Sequence, residues 1–372
     1  MNPFVFGRIV TGENFYDRVE ECKRIAGTLS GGNNIVLYAP RRYGKTSLVF
    51  KVIEELEKKN FICIYLDFMM IYSRESFIDN YSKAIISKQS SMDKTVRKIA
   101  TLVKGFRPVM TFDDSGKPLF SVDFVEDKLS DSTIEEIIDL PEKLASDSKR
   151  YIIIMDEFQE ITKLNGENFE NLLRSKLQRQ KKVNYLFLGS RTHLLQDMFM
   201  SKNRAFYNSA MTLQLDKIPI KDSISFLQNK FEKFNIKISD EIAKYLIEKA
   251  DNIPYYIQFL AAEVWQMLVT EPKEVSAEII DNCAAGIIDL KSDYYYSLFD
   301  NQTAYQKKLL KAIAVNGTNI FSEEYRKLYR LSAGSTTQKA IKSLLESVVI
   351  EKQGSEYFIS DPFFRKYIQN YA

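Results

Sequence analysis

One short segment, Val36–Ser47 with the sequence VLYAPRRYGKTS, constrains the fold more than any other part of the chain. The apolar run Ile35–Tyr38 predicts a strand, and the apolar residues of Leu48–Lys58 recur at the spacing of an amphipathic helix. The turn between them contains a proline and ends in Gly44, followed by Lys-Thr-Ser. A strand, a glycine-containing turn and a helix in this order predict a loop that binds phosphate.

The chemistry of this segment favours a bound nucleotide. Backbone N–H groups at the start of a helix point at an anion, and the helix dipole favours negative charge there. Lys45 is placed to reach the β- and γ-phosphates, and the Thr46 hydroxyl is placed to bind Mg²⁺. Ala39 stands where the usual pattern has its first glycine. The alternative is an ordinary strand-turn-helix with a surface lysine. The residues expected to bind the nucleotide are Ala39, Pro40, Arg41, Arg42, Tyr43, Gly44, Lys45, Thr46 and Ser47.

A second segment, Tyr151–Glu157, has the form of a Walker B strand. Its apolar residues end in two adjacent carboxylates, Asp156 and Glu157, about 110 residues after the loop. An acid at the end of the strand can hold Mg²⁺, and the next acid can orient or deprotonate the attacking water. We therefore expect Asp156 to be a metal ligand and Glu157 to be catalytic.

A third apolar run, Val183–Leu188, ends in Gly-Ser-Arg. Ligands bind at the carboxyl ends of the strands of an open parallel sheet. We therefore expect Ser190 and Arg191 to emerge beside Lys45 and Asp156. In that position Arg191 would stabilise charge on the γ-phosphate, as an arginine finger does. The alternative for Arg191 is a plain surface salt bridge.

Composition sets limits on the class of protein. A chain of 372 residues with 45% apolar and 27% charged residues is ordinary globular composition, long enough for two or three domains. The net charge of +3 favours no particular partner. Three scattered cysteines and one histidine exclude a Cys/His zinc site. No apolar run approaches 18 residues and no signal peptide is visible, so we expect a soluble cytoplasmic protein without a membrane segment.

The order of patterns predicts three parts: an α/β core over 1–216 that contains the phosphate-binding loop, a helices-only part over 217–298 and a winged-helix domain over 299–372. Within the core, Phe61–Asp67 predicts a buried parallel strand. A β-hairpin with an Asp/Gly turn at about 105–125 is predicted as an insertion. Met211–Leu215 is expected to close the sheet. Helices are also predicted over 15–29, 72–104, 134–146 and 171–182.

The C-terminal part predicts three helices, a short hairpin and a last helix that opens at Asp361-Pro362, which is a winged-helix pattern. Several lysines and arginines over 307–342 would suit phosphate contacts with DNA. The face Ser335–Lys339 carries little that would read bases, so a protein-interaction or regulatory role is favoured over DNA binding.

Taken together, these segments resemble the archaeal and bacterial AAA-type ATPases related to the STAND class and, more remotely, the Orc/Cdc6 group. The resemblance covers nearly the whole chain. The residues that carry it are PRRYGKTS at 40–47, IIMDEFQ at 153–159, LGSR at 188–191, Asn-Ile-Pro at 252–254 and Asp-Pro-Phe at 361–363.

The resemblance implies a five-stranded parallel sheet in the order 5-1-4-3-2, a helical lid and a C-terminal winged helix, with ATP or ADP between sheet and lid. It implies that Lys45 and Thr46 bind phosphate and Mg²⁺, that Asp156 completes the metal site, that Glu157 polarises water and that Arg191 senses the γ-phosphate. Pro254 would pack near the adenine. Asp17 replaces the glycine of the family's Gly-Arg-x-x-Glu element. Tyr207-Asn208-Ser209 stands where many relatives carry Tyr-Gly-Arg, with Arg204 close by.

The function expected from these observations is slow ATP hydrolysis coupled to a conformational change between core, lid and winged helix, with an unidentified protein partner. The alternative is an ADP-locked regulatory or DNA-binding switch with negligible turnover. A guanine nucleotide is disfavoured because no Asn-Lys-x-Asp occurs in the chain. A small-molecule kinase is disfavoured by the lid and the winged helix.

Overall fold

The computed structural model of this protein describes residues 2–88, 101, 106–112, 118–124, 131–164, 166–269 and 274–372. The contacts divide the chain into two compact units. The first, here called the sheet unit, consists of Val19–Ala39 and Leu48–Leu215. The second, here called the helical unit, consists of Met1–Arg18, Pro40–Ser47 and Asp216–Ala372.

The sheet unit is built on five parallel strands. They are β1 (Ile35–Tyr38), β2 (Ile62–Asp67), β5 (Tyr151–Asp156), β6 (Val183–Gly189) and β7 (Met211–Gln214). Their spatial order is β2-β5-β6-β1-β7, which is 5-1-4-3-2 when these five strands are numbered along the chain and listed from the other edge. The predicted order, the parallel sheet and the closing strand are therefore confirmed.

The central strands are apolar because both of their faces are covered. All residues of β1, β5 and β6 are buried. β1 lies between β6 and β7, with Leu37 in register with Leu188 on one side and Leu213 on the other. All the strands being parallel, β1, β5 and β6 end at the same edge of the sheet.

Helices surround this sheet. They are α1 (Val19–Ser30), α2 (Lys45–Glu57, which begins in the helical unit), α3 (Arg74–Ser87), α4 (Asp131–Ile138), α5 (Leu140–Leu144), α6 (Gly166–Leu177) and α7 (Thr192–Met200). Short 3-10 helices occupy Phe68–Met70 and Phe158–Lys163. A group of aromatic rings fills the core beside β6, with Phe158 and Phe187 4.6 Å apart between ring centroids and Phe199 and Phe206 against both.

The predicted hairpin is present as two antiparallel strands, β3 (Phe106–Phe112) and β4 (Pro118–Phe124). They form a separate two-stranded sheet and do not join the parallel one, as expected of an insertion. The predicted Asp/Gly turn at 113–117 lies outside the described residues, as do 89–100 and 102–104 of the helix predicted over 72–104. The described helix of that segment ends at Ser87, with Lys88 as its C-cap.

Three helix predictions were wrong in extent. The segment 134–146 is divided into α4 and α5 at Asp139, and Pro141, which has no N–H to continue a helix, lies in the first turn of α5, where proline is tolerated. The helix predicted over 171–182 ends at Leu177, and the N–H groups of Lys181 and Lys182 donate to Glu142 Oε2 instead. The helix predicted from Phe15 begins at Val19.

The helical unit contains the helices α8 (Ile220–Glu232), α9 (Asp240–Lys249), α10 (Pro254–Leu268), α11 (Ala277–Leu290) and α12 (Ser292–Asp300), followed by α13 (Ala304–Val315), α14 (Glu323–Leu328), α15 (Gly334–Glu346) and α16 (Pro362–Tyr371). Between α15 and α16, the antiparallel strands β8 (Ile350–Gln353) and β9 (Glu356–Ile359) form the wing of a winged-helix domain. The predicted three helices, hairpin and last helix are therefore confirmed.

Side-chain caps define the ends of these helices. Thr303 and Gln306 form a capping box at the start of α13. Asp361 accepts from the N–H groups of Phe363 and Phe364 at the start of α16. Among the described residues, no helix is long and apolar enough to span a membrane.

Candidate nucleotide-binding site

The loop that follows β1 has the backbone of an anion-binding turn. Ala39 is fully buried, and its N–H lies 3.5 Å from the carbonyl oxygen of Gly189. Within Pro40–Ser47, Arg42 has a φ of 71° and Gly44 a φ of 84°. Left-handed residues among right-handed ones turn successive N–H groups into a concavity that favours anions. The helix α2 then begins at Lys45, so the N–H groups of its first turn lie at the end of this loop.

The residues at the start of α2 are partly enclosed. Lys45 is 7% exposed, and Thr46 and Ser47 are half-buried. The Ser47 hydroxyl accepts from the N–H of Val10 at 3.0 Å, which fixes the N-terminal arm against the loop. Lys45 thus lies, largely buried, at the first position of α2, where a phosphate-binding lysine is expected.

Arg42 of the loop contacts other parts of the helical unit. The Arg42 guanidinium lies over the rings of Tyr255 and Tyr256, 5.0 and 4.7 Å from their centroids, and 3.6 Å from Asp361 Oδ2. The N–H of Tyr255 donates to the carbonyl oxygen of Arg42 at 3.4 Å. Pro254, the first residue of α10, is buried next to this contact in sequence. No pattern in the sequence indicates this aromatic clamp, which consists of Tyr255 and Tyr256.

The segment before α1 explains a departure from the family pattern. Asp17, which replaces the family's glycine, has a φ of 58°, and Arg18 has a φ of 67°. Aspartate is one of the few residues with a side chain that tolerate this conformation. Arg18 is 3% exposed, and its guanidinium donates to the carbonyl oxygen of Asp216. The left-handed pair also stops α1 from starting earlier.

In the sheet unit, Asp156 ends β5 in a fixed orientation. It is 5% exposed, and its Oδ2 accepts from the Tyr65 hydroxyl at 2.6 Å. Its Oδ1 accepts from the N–H of Glu157 at 2.9 Å. Burial and the adjacent Asp156 carboxylate raise the pKa of Tyr65 well above its ordinary value, so Tyr65 stays a donor.

Glu157 follows in left-handed backbone, with φ 49° and ψ 41°. Its Oε2 accepts from the Ser190 hydroxyl at 2.9 Å, the Ser190 N–H at 3.2 Å and Gln159 Nε2 at 2.5 Å. The backbone turn and these donors aim the Glu157 carboxylate at the carboxyl end of β6. The sequence placed Ser190 at this edge but did not identify it, or Gln159, as a partner of Glu157.

Gly189 is required for this arrangement. A Cβ at this position would lie 2.1 Å from Gln159 Oε1 and 2.4 Å from Leu195 Cδ1. The side chains of Gln159 and Leu195 are 2% and 0% exposed, so neither has free space to move into. The absence of a side chain at residue 189 therefore lets Gln159 reach Glu157.

The two arginines of this unit that the sequence singled out both form ion pairs. Arg191, 28% exposed at its side chain, lies 3.7 Å from Glu160 Oε1, and Glu160 is 4% exposed. Arg204 lies 2.5 Å from Glu170, which is 2% exposed, and 2.8 Å from Asp197. The salt bridge named as the alternative for Arg191 is thus present in this structure.

The residues proposed for Mg²⁺ suit its chemistry. Asp156 and Thr46 offer a carboxylate and a hydroxyl, and Mg²⁺ binds to oxygen ligands through one or two carboxylates plus phosphates and water. Among the described residues, no group of three or more His, Cys, Asp or Glu side chains could hold a metal by itself. A metal supplied together with a nucleotide fits this donor set.

These features define a class of protein. A parallel sheet of order 5-1-4-3-2, a glycine-lysine-threonine loop after its first strand and a C-terminal winged helix are the construction of a P-loop ATPase. The chain belongs to the family described as "ATPase domain predominantly from Archaea", which matches residues 15–260. A second family, described as a probable winged helix domain, matches residues 293–370.

Two curated relatives come from Methanocaldococcus jannaschii. An uncharacterized protein is 25% identical over 370 residues, covering 95% of this chain and 68% of the relative. An uncharacterized ATP-binding protein is 21% identical over 354 residues, covering 90% of this chain and 92% of the relative.

Solved structures support the fold. The Walker-type ATPase paby2304 of Pyrococcus abyssi superposes with a TM-score of 0.64 at 19% identity, covering 96% of this chain and 97% of that one. The Aeropyrum pernix ORC2 protein, in ADPNP–ADP complexes, gives a TM-score of 0.56 at 13% identity over 96% of each chain. At these identities the likeness shows the fold alone.

Proposed function

We propose that this protein binds ATP and hydrolyses it slowly to ADP and phosphate, and that the reaction drives a conformational switch of the STAND type. The observation that carries the proposal is the loop Pro40–Ser47, whose left-handed residues Arg42 and Gly44 precede the buried Lys45 at a helix start. Nucleotide binding to such a loop is supported by the family and by the relative described as ATP-binding.

The proposed roles follow from the chemistry of each group. Lys45 would neutralise charge on the β- and γ-phosphates, while Thr46 and Asp156 would hold Mg²⁺, which adds positive charge at the same phosphates when bound. Glu157 would orient the attacking water, because its carboxylate is fixed by Ser190. The remaining loop residues, Ala39, Pro40, Arg41, Arg42, Tyr43, Gly44 and Ser47, would surround the phosphates, and Pro254 would pack near the adenine.

Arg191 requires a conformational change for its proposed role as a γ-phosphate sensor. Its guanidinium is paired with Glu160 at 3.7 Å, a distance typical of a weak and partly exposed pair. Glu160 is buried but also pairs with Lys163, so it would keep a cationic partner if Arg191 turned to a phosphate. The sensor role would therefore involve breaking the contact with Glu160.

The switch is proposed to involve the three predicted parts, 1–216, 217–298 and 299–372. Support comes from the loop itself, since Arg42 contacts Tyr255 and Tyr256 of α10 and Asp361 at the start of α16. A change in the loop on binding or losing the γ-phosphate would alter these contacts. An unidentified cytoplasmic protein would then respond to the altered lid and winged helix.

The second candidate function is an ADP-locked regulatory or DNA-binding switch with negligible turnover. The helix α15 favours it, because its exposed face carries Ser335, Thr336, Lys339 and Lys342, which would suit a phosphate backbone. DNA affinity would then fall steeply with salt and depend on Lys339 and Lys342.

The test is ATP turnover and nucleotide binding of the wild type, Glu157→Gln and Lys45→Ala, with Lys51→Ala as the control on the same helix. We expect hydrolysis in the wild type and in Lys51→Ala, loss of hydrolysis with retained ATP binding in Glu157→Gln, and loss of binding in Lys45→Ala. Tight binding with turnover no faster in the wild type than in Glu157→Gln would favour the locked switch. No binding at all would contradict both functions.

A further inference from the structure

A buried carboxyl group from the winged helix lies against the phosphate-binding loop. Glu351, on β8 of the hairpin β8–β9, is 8% exposed. The backbone N–H of Arg41 lies 3.1 Å from Glu351 Oε2 and 3.3 Å from Oε1. The carboxyl group therefore accepts from an N–H within the turn that the proposed function assigns to nucleotide phosphate.

The surroundings of Glu351 are those of an anion site. The positive groups that act on it are Arg41, Arg42 and Lys45, all in the loop or at its end, and each favours the charged form of the acid. Burial opposes them and raises the pKa of Glu351 to about 7. A buried acid that faces a cationic loop occupies a place suited to a more strongly bound anion, such as a phosphate.

One further contact joins the same hairpin to the loop, and two others involve Asp216 and Asp361. The Tyr43 hydroxyl donates to Gln353 Oε1 at 3.4 Å, and Gln353 Nε2 donates to Asp216 Oδ1 at 3.1 Å. Arg42 lies 3.6 Å from Asp361, which begins the helix after the hairpin. Three consecutive loop residues, Arg41 to Tyr43, thus each contact the segment that contains the wing or the start of α16.

We propose that the hairpin β8–β9 is a gate on the loop: Glu351 occupies the Arg41 N–H in the absence of nucleotide, and docking of the hairpin and binding of nucleotide phosphate exclude each other. An N–H has one proton to donate, and a carboxylate close to a phosphate repels it. Nucleotide binding therefore releases the hairpin. This inference rests on the proposed function and identifies the hairpin as the element that the nucleotide moves.

The first test measures the affinity of ADP and ATP for the full chain. Glu351→Ala removes the competing acceptor, while Glu356→Ala, an exposed acid on the same hairpin, is the matched control. We expect Glu351→Ala to bind both nucleotides about ten-fold more tightly, because a charge-assisted hydrogen bond no longer competes. We expect Glu356→Ala to match the wild type. Gln353→Ala removes the contacts of the hairpin with Tyr43 and Asp216 and leaves Glu351 in place. It should bind about two- to three-fold more tightly and tests the gate if Glu351→Ala does not fold.

The second test follows amide hydrogen exchange of the backbone over 350–359. In the wild type, saturating ATP should accelerate exchange there by about ten-fold or more, because the released hairpin opens more readily. In Glu351→Ala the exchange should be fast already and insensitive to ATP. Slower exchange of the hairpin on adding nucleotide, or weaker nucleotide binding by Glu351→Ala, would show that the hairpin supports the bound state and would overturn the gate.

The outcomes separate this proposal from the function on which it rests. Equal affinity of the wild type, Glu351→Ala and Glu356→Ala for nucleotide would overturn the gate and leave the ATPase intact. Absence of nucleotide binding in the wild type and in Glu351→Ala alike would overturn the proposed function together with the gate.

Discussion

Replacement of Gly189 by alanine tests how closely the end of β6 is packed around Glu157. The added Cβ would lie 2.1 Å from Gln159 Oε1 and 2.4 Å from Leu195 Cδ1, and real Cβ atoms essentially never approach other atoms so closely. Both contacted atoms are at the ends of side chains and could rotate away, but both residues are buried, so any rotation would displace other core atoms. We therefore expect strain in the core together with displacement of Gln159.

The magnitude follows from these two effects. Overpacking of a well-packed core costs about 1–3 kcal/mol. The hydrogen bond from Gln159 to Glu157 is to a charged group, but Glu157 is only half-buried, so its loss adds about 1 kcal/mol. The free energy of unfolding should fall by about 2–4 kcal/mol, which corresponds to roughly 4–16 °C in melting temperature for a unit of this size.

The assay is thermal and urea unfolding followed by circular dichroism, with Gly27→Ala as the matched control. Gly27 lies in α1 of the same unit, and a Cβ there would meet nothing within 4 Å. That variant should be as stable as the wild type or more stable by about 0.5–1 kcal/mol, because alanine is the better helix former. A Gly189→Ala protein within 0.5 kcal/mol of the wild type would refute the packing argument.

Three further predictions concern the winged helix. Gly317→Ala should lower the free energy of unfolding in urea by about 3 kcal/mol or more, because its Cβ would lie 1.5 Å from the Tyr357 carbonyl oxygen, a backbone atom that cannot rotate away. Gly286→Ala is the control, since a Cβ there meets nothing within 4 Å, and equal stability of the two variants would contradict the prediction. Asp361→Ala should lower the free energy of unfolding by about 2–4 kcal/mol in the same assay, because it removes the N-cap of α16 and the acceptor of the Tyr295 hydroxyl. Asp361→Asn should lower it by less. Glu351→Gln should raise the melting temperature at pH 8 and leave it unchanged at pH 4.5. Burial raises the pKa of Glu351 from 4.5 to about 7, so the wild type loses stability as the pH rises through this range and the buried acid becomes charged. An equal shift at both pH values would refute the burial argument.

The parallel sheet could be predicted from the sequence because its strands are buried on both faces. Continuous apolar runs such as Tyr151–Met155 indicate a strand that is buried on both faces, and the acids that follow mark its carboxyl end. The loop at 40–47 was recognisable although Ala39 replaces glycine. Ala39 is fully buried against β6, in a place where a small side chain is sufficient.

The partners of the site residues could not be predicted in the same way. Ser190 is 33 residues from Glu157 in the chain, and Glu351 is 310 residues from Arg41. A single polar residue at the end of a strand leaves no periodic pattern, and its partner depends on which strands become neighbours. The helix boundary near Pro141 could have been predicted from the sequence, because proline interrupts a helix through its own local geometry.

The clamp around Arg42 has a consequence for how such chains can be recombined. The loop depends on Tyr255, Tyr256 and Asp361 for the placement of its arginine, although these lie more than two hundred residues further along the chain. A chimera whose winged helix came from a protein without an acid at position 361 would leave the Arg42 guanidinium without its carboxylate. The C-terminal segment is therefore not an interchangeable module, and substitutions at Arg42 and Asp361 are expected to be inherited as a pair.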